Sequence, residues 1–370
     1  MTIINDPYQD IRPYSDDEVP SAIERLLSDD EFIQAIIHYR CPKIPKWLLK
    51  VLSPLLRHKL KKNLSTFQTV KDVQQHVAKY LSAVLDKTTD SITFSGLDKL
   101  DPKSAYLFVS NHRDIAMDPA IVNWVLNENH YNTLRIAIGD NLLKKPGVSE
   151  LMRLNKSFIV KRSAKAPREM MKALSQLSAY ISHSLETNNS IWIAQKEGRA
   201  KDGNDQTDPA ILKMFHVEGR KRKIAFPEFT KSLNIVPVSI SYESDPCDLA
   251  KARELTEIAS TGSYQKSEFE DIDSIILGIT GYKGRVHINF GDVINQAYET
   301  PVDLASEIDR QIHSNYKLFP NNYLAAEIEN TEINEETKRR FNEKLVVLSP
   351  GEQDVLKKMY ANPVHNQQQQ

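Results

Sequence analysis

His112, Asp114 and Asp118 stand close together in the stretch Asn111-His112-Arg113-Asp114-Ile115-Ala116-Met117-Asp118-Pro119. A histidine held by a carboxylate serves as a general base toward a hydroxyl, the carboxylate fixing the tautomer and stabilising the imidazolium. The apolar run 106–109 leads into this cluster as a short buried strand. Asp118-Pro119 reads as a helix start, since proline pre-sets the first turn and the aspartate before it can cap that turn. The end of a strand in an α/β sheet is where such proteins place chemistry. Asp118 is the favoured partner of His112. Asp114 remains the alternative carboxylate, because a residue two positions on can reach the ring from an extended turn. No second histidine stands at ligand spacing, so a metal site is not expected. His112-Arg113-Asp114 also spells a protein-kinase triplet, but no glycine-rich loop precedes it and no Asp-Phe-Gly follows.

A second polar cluster, Lys196-Glu197-Gly198-Arg199-Ala200-Lys201-Asp202-Gly203, follows the apolar run 191–194. Gly198 lets a backbone approach a ligand closely. Arg199 offers a planar fork and Lys201 a point charge, both suited to a phosphate. On its own the cluster also reads as a charged surface turn. A third segment, Lys156-Ser157-Phe158-Ile159-Val160-Lys161-Arg162, is a strand ending in two basic residues. A fourth, Ile235-Val236-Pro237-Val238-Ser239-Ile240-Ser241-Tyr242-Glu243, reads as a buried strand.

In order and spacing, these four segments resemble the four blocks of the glycerolipid acyltransferase family, which acylates glycerol-3-phosphate and lysophosphatidate. The matching positions are 111–118, 158–162, 197–203 and 235–242, and Val286-His287-Ile288-Asn289-Phe290-Gly291 resembles the family's closing strand. The resemblance covers roughly residues 90–320. The Ser241-Tyr242-Glu243 ending leans toward the glycerol-3-phosphate branch. Two departures stand out. The family spacing puts its aspartate at position 117, which here is Met117, with Asp118 one later. The loop block is one residue short, Glu197-Gly198 leading directly to Arg199.

The resemblance implies acyl transfer from a thioester, acyl-CoA or acyl-ACP, with no further cofactor. His112 takes the proton of the acceptor hydroxyl and Asp118 holds the ring. Arg199, with Lys201 and Arg162, binds the phosphate of a phosphate-bearing glycerol acceptor. Asn111, Glu197 and Gly198 shape the site. No Gly-x-Ser-x-Gly nucleophile elbow is present or needed.

Strands are expected at 91–94, 106–109, 134–138, 157–161, 190–194, 235–241 and 285–290. Helices are expected at 119–127, 167–187, 209–216 and 301–317. This alternation predicts an α/β fold with a central mixed, partly parallel sheet flanked by helices. An N-terminal helical region, 1–90, precedes the acyltransferase domain at 91–320. A helical C-terminal extension, 321–370, follows, with a cap at Ser349-Pro350-Gly351-Glu352 and a disordered end at 367–370. In the N-terminal region, Ser28 to Glu31 reads as a capping box, and Pro54 should break the apolar segment 47–56.

The chain has 370 residues, 40% of them hydrophobic, and a net charge of −1, which argues against nucleic acid as a partner. That charge is unevenly spread. Residues 32–71 contain no acid but nine basic residues, Arg40, Lys43, Lys46, Lys50, Arg57, Lys59, Lys61, Lys62 and Lys71. Leucines and Trp47 interleave with them over 43–62, so Trp47, Leu48, Leu49, Leu52, Leu55 and Leu56 are expected at the headgroup level of an anionic membrane surface. Packing of this segment on the core is the plainer alternative. A second basic cluster, Arg220-Lys221-Arg222-Lys223, suits the same surface, an acyl carrier protein or solvent. Two cysteines, no long apolar run and a polar start suggest a cytoplasmic protein, peripheral on the inner face of the membrane. A non-catalytic peripheral lipid-binding protein retaining the fold is the rival reading. It predicts no carboxylate within reach of His112 Nδ1.

Overall fold

A computed structural model describes residues 6–41, 44–267 and 270–370. Lys43, at the start of the basic segment 43–62, lies outside the described residues. The chain divides into two compact units, 1–80 with 135–180, and 81–134 with 181–370. These limits run differently from the segments 1–90, 91–320 and 321–370.

Seven strands form, β1 (Ser91–Ser95), β2 (Leu107–Ser110), β3 (Arg135–Gly139), β4 (Ser157–Val160), β5 (Ile191–Ala194), β6 (Ile235–Tyr242) and β7 (Arg285–Phe290). In the second unit the strand order is β1-β7-β6-β2-β5. All these pairings are parallel except β6 with β7. In the first unit β3 and β4 pair in parallel. The mixed, mostly parallel sheet structure flanked by helices is the fold expected. Central strands buried on both faces read as continuous apolar runs. Thus every residue of β2 and β6 is buried, while β7 alternates and the edge strand β1 is mostly exposed. Pro237 is tolerated in central β6 because its carbonyl accepts from Gly291 N, on the β7 side. A residue's N–H and C=O point to the same edge, so the missing N–H faces the place where the β7 ladder, which begins at Val238 with Phe290, has ended. Phe108 and Phe290 pack edge to face at 5.7 Å and seal the core above this point.

The first unit has its own core of Val19, Ile23, Leu26, Ile33, Leu49, Val73 and Leu154. Three local expectations change here. The cap of helix Asp30–Arg40 is Asp29, whose carboxylate accepts from the N–H groups of Glu31 and Phe32, so the Ser28 box does not form. Helix Lys46–Leu64 runs through Pro54 without a break, its lost hydrogen bond outweighed by the packing of one face. Leu49 is buried and Leu52, Leu56, Leu60 and Leu64 pack against that core, whereas Trp47, Val51 and Leu55 are exposed. The helix therefore has two apolar stripes, and Leu49, Leu52 and Leu56 belong to packing rather than to a headgroup layer. Among the described residues no helix is long and apolar enough to cross a membrane.

At the other end, helix Pro350–Gln368 starts at the expected Ser349–Glu352 capping box. It continues to Gln368, so the expected disordered end is corrected. Leu356, Met359, Tyr360 and Val364 give it a buried face, and Gln367 donates to the carbonyl of Tyr316. Composition marked the glutamines as unstructured, but the burial of this face carries the helix through them.

Candidate active site

β2 ends at Ser110, and the chain turns out of the sheet through 111–116 into helix Met117–Glu128. Asn111 fixes the turn. Its side chain donates to the carbonyl of Ile240 and accepts from Ile240 N, pinning the end of β2 to β6. Its amide also donates to the buried Asp205, which accepts from Arg113 as well. Asn111, expected to shape the site, thus holds this turn from within the core.

His112 Nδ1 lies 2.8 Å from Asp118 Oδ2. The same oxygen accepts from the backbone N–H groups of Arg113 at 2.6 Å and Asp114 at 2.9 Å. The other oxygen, Oδ1, accepts from the hydroxyl of Tyr242 at 2.7 Å. Asp118 is fully buried, so four donors compensate the desolvation of its charge. With an acceptor on Nδ1, the neutral ring carries its proton there and keeps Nε2 as the basic nitrogen. The ring of Trp192 stands edge-on to His112 at 5.4 Å and holds the ring's orientation. The extra residue relative to the family spacing is absorbed because the turn folds back, bringing two backbone N–H groups and the ring onto one carboxylate oxygen.

Asp114 has a different place. Its Oδ1 accepts from Ala116 N and Met117 N, so it caps the helix, and the expected cap by Asp118 is corrected. Asp118 instead lies inside the first turn of that helix. Burial and the nearby charge of Asp118 raise the Asp114 carboxyl above the usual carboxylate range. Its Oδ2 is buried with no hydrogen-bond partner and lies against Gly278, where an added Cβ would come within 2.0 Å of it. Of the two candidate carboxylates, only that of Asp118 is hydrogen-bonded to the ring.

The loop after β5 is tied to the same turn. Gln195 N donates to Ser110 O, and Ala200 N donates to His112 O at 2.7 Å. Glu197 and Gly198 project to solvent, and Gly198 has a φ of +78°, a conformation glycine adopts without strain. Arg199 is half-buried. One guanidinium nitrogen donates to Ser274 Oγ at 3.2 Å, and another, Nη1, is buried without a hydrogen-bond partner. Lys201 ion-pairs with Glu254 of helix Asp248–Thr261, so the expected phosphate helper has its charge already matched. Arg162 belongs to the other compact unit, where its backbone N–H donates to Asp140. The structure thus brings Asn111, His112, Asp118 and the 197–203 loop together in one unit.

The contributions of Tyr242, Trp192, Asp205, Ser274 and Gly278 were not read as functional from sequence. Tyr242 alone left a signal, a hydroxyl closing an otherwise apolar and small-residue strand. Among the described residues no group of three or more His, Cys, Asp or Glu could hold a metal ion.

Against known proteins, the family model described as Acyltransferase matches residues 91–241. The chain carries an acyltransferase domain. The acyltransferase reading of the four motif blocks is borne out over this segment, and with it the expectation of an acyltransferase enzyme. The matched acyltransferase segment contains His112, Asp118, Arg162, Arg199 and Lys201, and ends one residue before Tyr242. No curated protein matches the chain. Among solved structures, the chain is similar to the crystal structure of the 1-acyl-sn-glycerophosphate (LPA) acyltransferase PlsC from Thermotoga maritima. The identity is 12%, the match covers 80% of this chain and 91% of that chain, and the TM-score is 0.37.

Proposed function

We propose that this acyltransferase moves a fatty acyl group from an acyl thioester, acyl-CoA or acyl-ACP, to a hydroxyl of glycerol-3-phosphate or lysophosphatidate. The observation that carries the reading is the 2.8 Å contact between His112 Nδ1 and the buried carboxylate of Asp118 at the end of a central strand. His112 Nε2 takes the proton of the acceptor hydroxyl as the oxygen attacks the thioester carbonyl. The imidazolium is stabilised by Asp118 and returns the proton to the departing thiolate. A base of this kind contributes about 10²–10⁴-fold in rate. Arg199, half-buried in the loop tied to the His112 turn, anchors the acceptor phosphate through its guanidinium fork. The rival reading, a non-catalytic lipid-binding protein, has no use for a carboxylate bonded to this ring.

The substrates and products partition into lipid, and helix Lys46–Leu64 supplies a means of reaching it. Trp47, Val51 and Leu55 form one outward stripe, with Lys50, Lys59, Lys61 and Lys62 exposed around them. This arrangement suits a peripheral position on an anionic membrane, on the cytoplasmic face. The test of the chemistry is His112→Ala, assayed by release of free thiol with a panel of glycerol-3-phosphate and lysophospholipid acceptors. Turnover should fall by at least about a hundredfold while the protein stays folded, since a strand-end polar residue carries little packing. Near-normal turnover in a folded His112→Ala protein would refute the mechanism.

A further inference from the structure

Helix Pro167–Glu186 has one apolar face that changes character along its length. Met170, Leu174, Leu177 and Ile181 follow one another at helical spacing and lie on one side. Leu177 and Ile181 are buried, but Met170 is 47% exposed, Leu174 37% and the adjacent Met171 59%. The first two turns therefore carry the same apolar face partly uncovered among the described residues. Basic residues outnumber acids along this segment of the sequence, while in the fold Lys161 is paired with Asp10 and Asp140 accepts from the N–H groups of Arg162 and Ser163. Between 161 and 174 stand Lys161, Arg162, Lys165, Arg168 and Lys172 against a single acid, Glu169. Lys165, Arg168 and Lys172 are all exposed.

We infer that the loop 161–166 and the first two turns of helix Pro167–Glu186 form a second lipid-contacting surface, seated on an anionic bilayer. Flexible, uncharged Met170, Met171 and Leu174 enter the headgroup layer, and Lys165, Arg168 and Lys172 meet the lipid phosphates. An apolar patch rimmed by basic side chains fits that partner on both counts. This surface is separate in sequence from the 47–55 stripe but belongs to the same compact unit. The inference rests on the membrane reading above, and it can fail while that reading stands.

The experiment is co-sedimentation of the full chain with phosphatidylcholine vesicles, with and without phosphatidylglycerol. The variants are Met170→Gln/Met171→Gln/Leu174→Gln and, in parallel, Trp47→Gln/Val51→Gln/Leu55→Gln. The first variant should partition about tenfold less onto anionic vesicles and keep its activity on a short-chain, water-soluble thioester. Lys165→Gln/Arg168→Gln/Lys172→Gln should give a similar loss that vanishes at high salt. Wild type that ignores anionic vesicles sinks the membrane reading and this inference together. Wild type that binds, with the first variant binding equally well and only the 47–55 variant losing affinity, overturns this inference alone. Normal vesicle binding with a selective loss of activity on an acyl-carrier-protein thioester would assign the patch to an acidic protein and also overturn it.

Discussion

Replacing Asp118 by asparagine tests the arrangement at its centre, because the geometry dictates how the amide must sit. The Oδ2 position receives three donors, His112 Nδ1 and the N–H groups of Arg113 and Asp114. The Oδ1 position receives only the hydroxyl of Tyr242. An amide NH₂ at Oδ2 would face three donors with another donor. At Oδ1 it meets a hydroxyl that can rotate to accept. The asparagine oxygen therefore takes the Oδ2 position, the helix start and the histidine tautomer survive, and what is lost is the negative charge opposite the developing imidazolium. Hydrogen bonds to charged groups are worth about 1.5–3 kcal/mol, so kcat should fall about 10- to 150-fold with little change in fold. The assay is thiol release from an acyl thioester at saturating acceptor, with thermal unfolding as the folding control. Activity within about threefold of wild type would show that the charge does no catalytic work. A loss near ten-thousandfold, the order seen when a triad histidine takes the wrong tautomer, would refute the predicted amide orientation.

Arg199→Ala should raise the KM for a phosphate-bearing acceptor about ten- to hundredfold and leave the donor KM nearly unchanged; equal effects on both would move Arg199 to the thioester carrier. Asp114→Asn keeps the helix cap through its carbonyl oxygen and should leave kcat within a few-fold. Because the folded carboxyl of Asp114 is raised, the folded state holds its proton longer than the unfolded chain, so wild-type stability falls as pH rises above the unfolded pKa of about 4. The stability of Asp114→Asn relative to wild type should therefore increase from pH 4 toward neutrality in urea unfolding, and a constant difference would contradict the raised carboxyl. Lys59→Gln/Lys61→Gln/Lys62→Gln should weaken co-sedimentation with anionic vesicles without altering activity on a soluble thioester; normal sedimentation would return helix Lys46–Leu64 to a packing role alone.

The strands were legible because each is a short apolar run closed by polar or turn residues, and the observed bounds shift by at most a residue at most ends. The start of helix Met117–Glu128 was legible only in part. Asp118-Pro119 carries the local signature of a cap, yet the turn before it folds so that Asp114 caps the helix and Asp118 swings onto the ring. Nothing local distinguishes the two aspartates. The choice is made by the approach of Tyr242 and by the backbone of the turn. Helices Asp248–Thr261 and Glu270–Thr280 were not read at all. The first buries Asp248, Lys251 and Glu254, which erases the apolar stripe that periodicity looks for. The inner face of the second is Ser274 and Gly278, small residues that admit Arg199 and Asp114.

The C-terminal extension shows why a motif reading stops short of the working site. Pro363 inside helix Pro350–Gln368 has no N–H for the carbonyl of Met359, four residues earlier. Gly203, at the end of the loop that carries Arg199, approaches that carbonyl so closely that a Cβ would fall 2.3 Å from it. Asn362 donates to the carbonyl of Asp202 at 2.7 Å and Asn366 to that of Asn204 at 3.1 Å, so one helix edge grips the base of the loop. Three residues before Pro363, Tyr360 donates to Asp248 and accepts from Asp245 N. Asp245 in turn pairs with buried Lys251, which donates to the carbonyl of Arg113 in the His112 turn. A segment some 150 residues downstream of the loop in sequence thus supports both the loop and the turn through hydrogen bonds to their backbones. Backbone contacts leave no pattern in the supported residues. The four blocks contain the groups proposed to do the chemistry, and contacts that hold those groups come in part from residues the blocks do not contain.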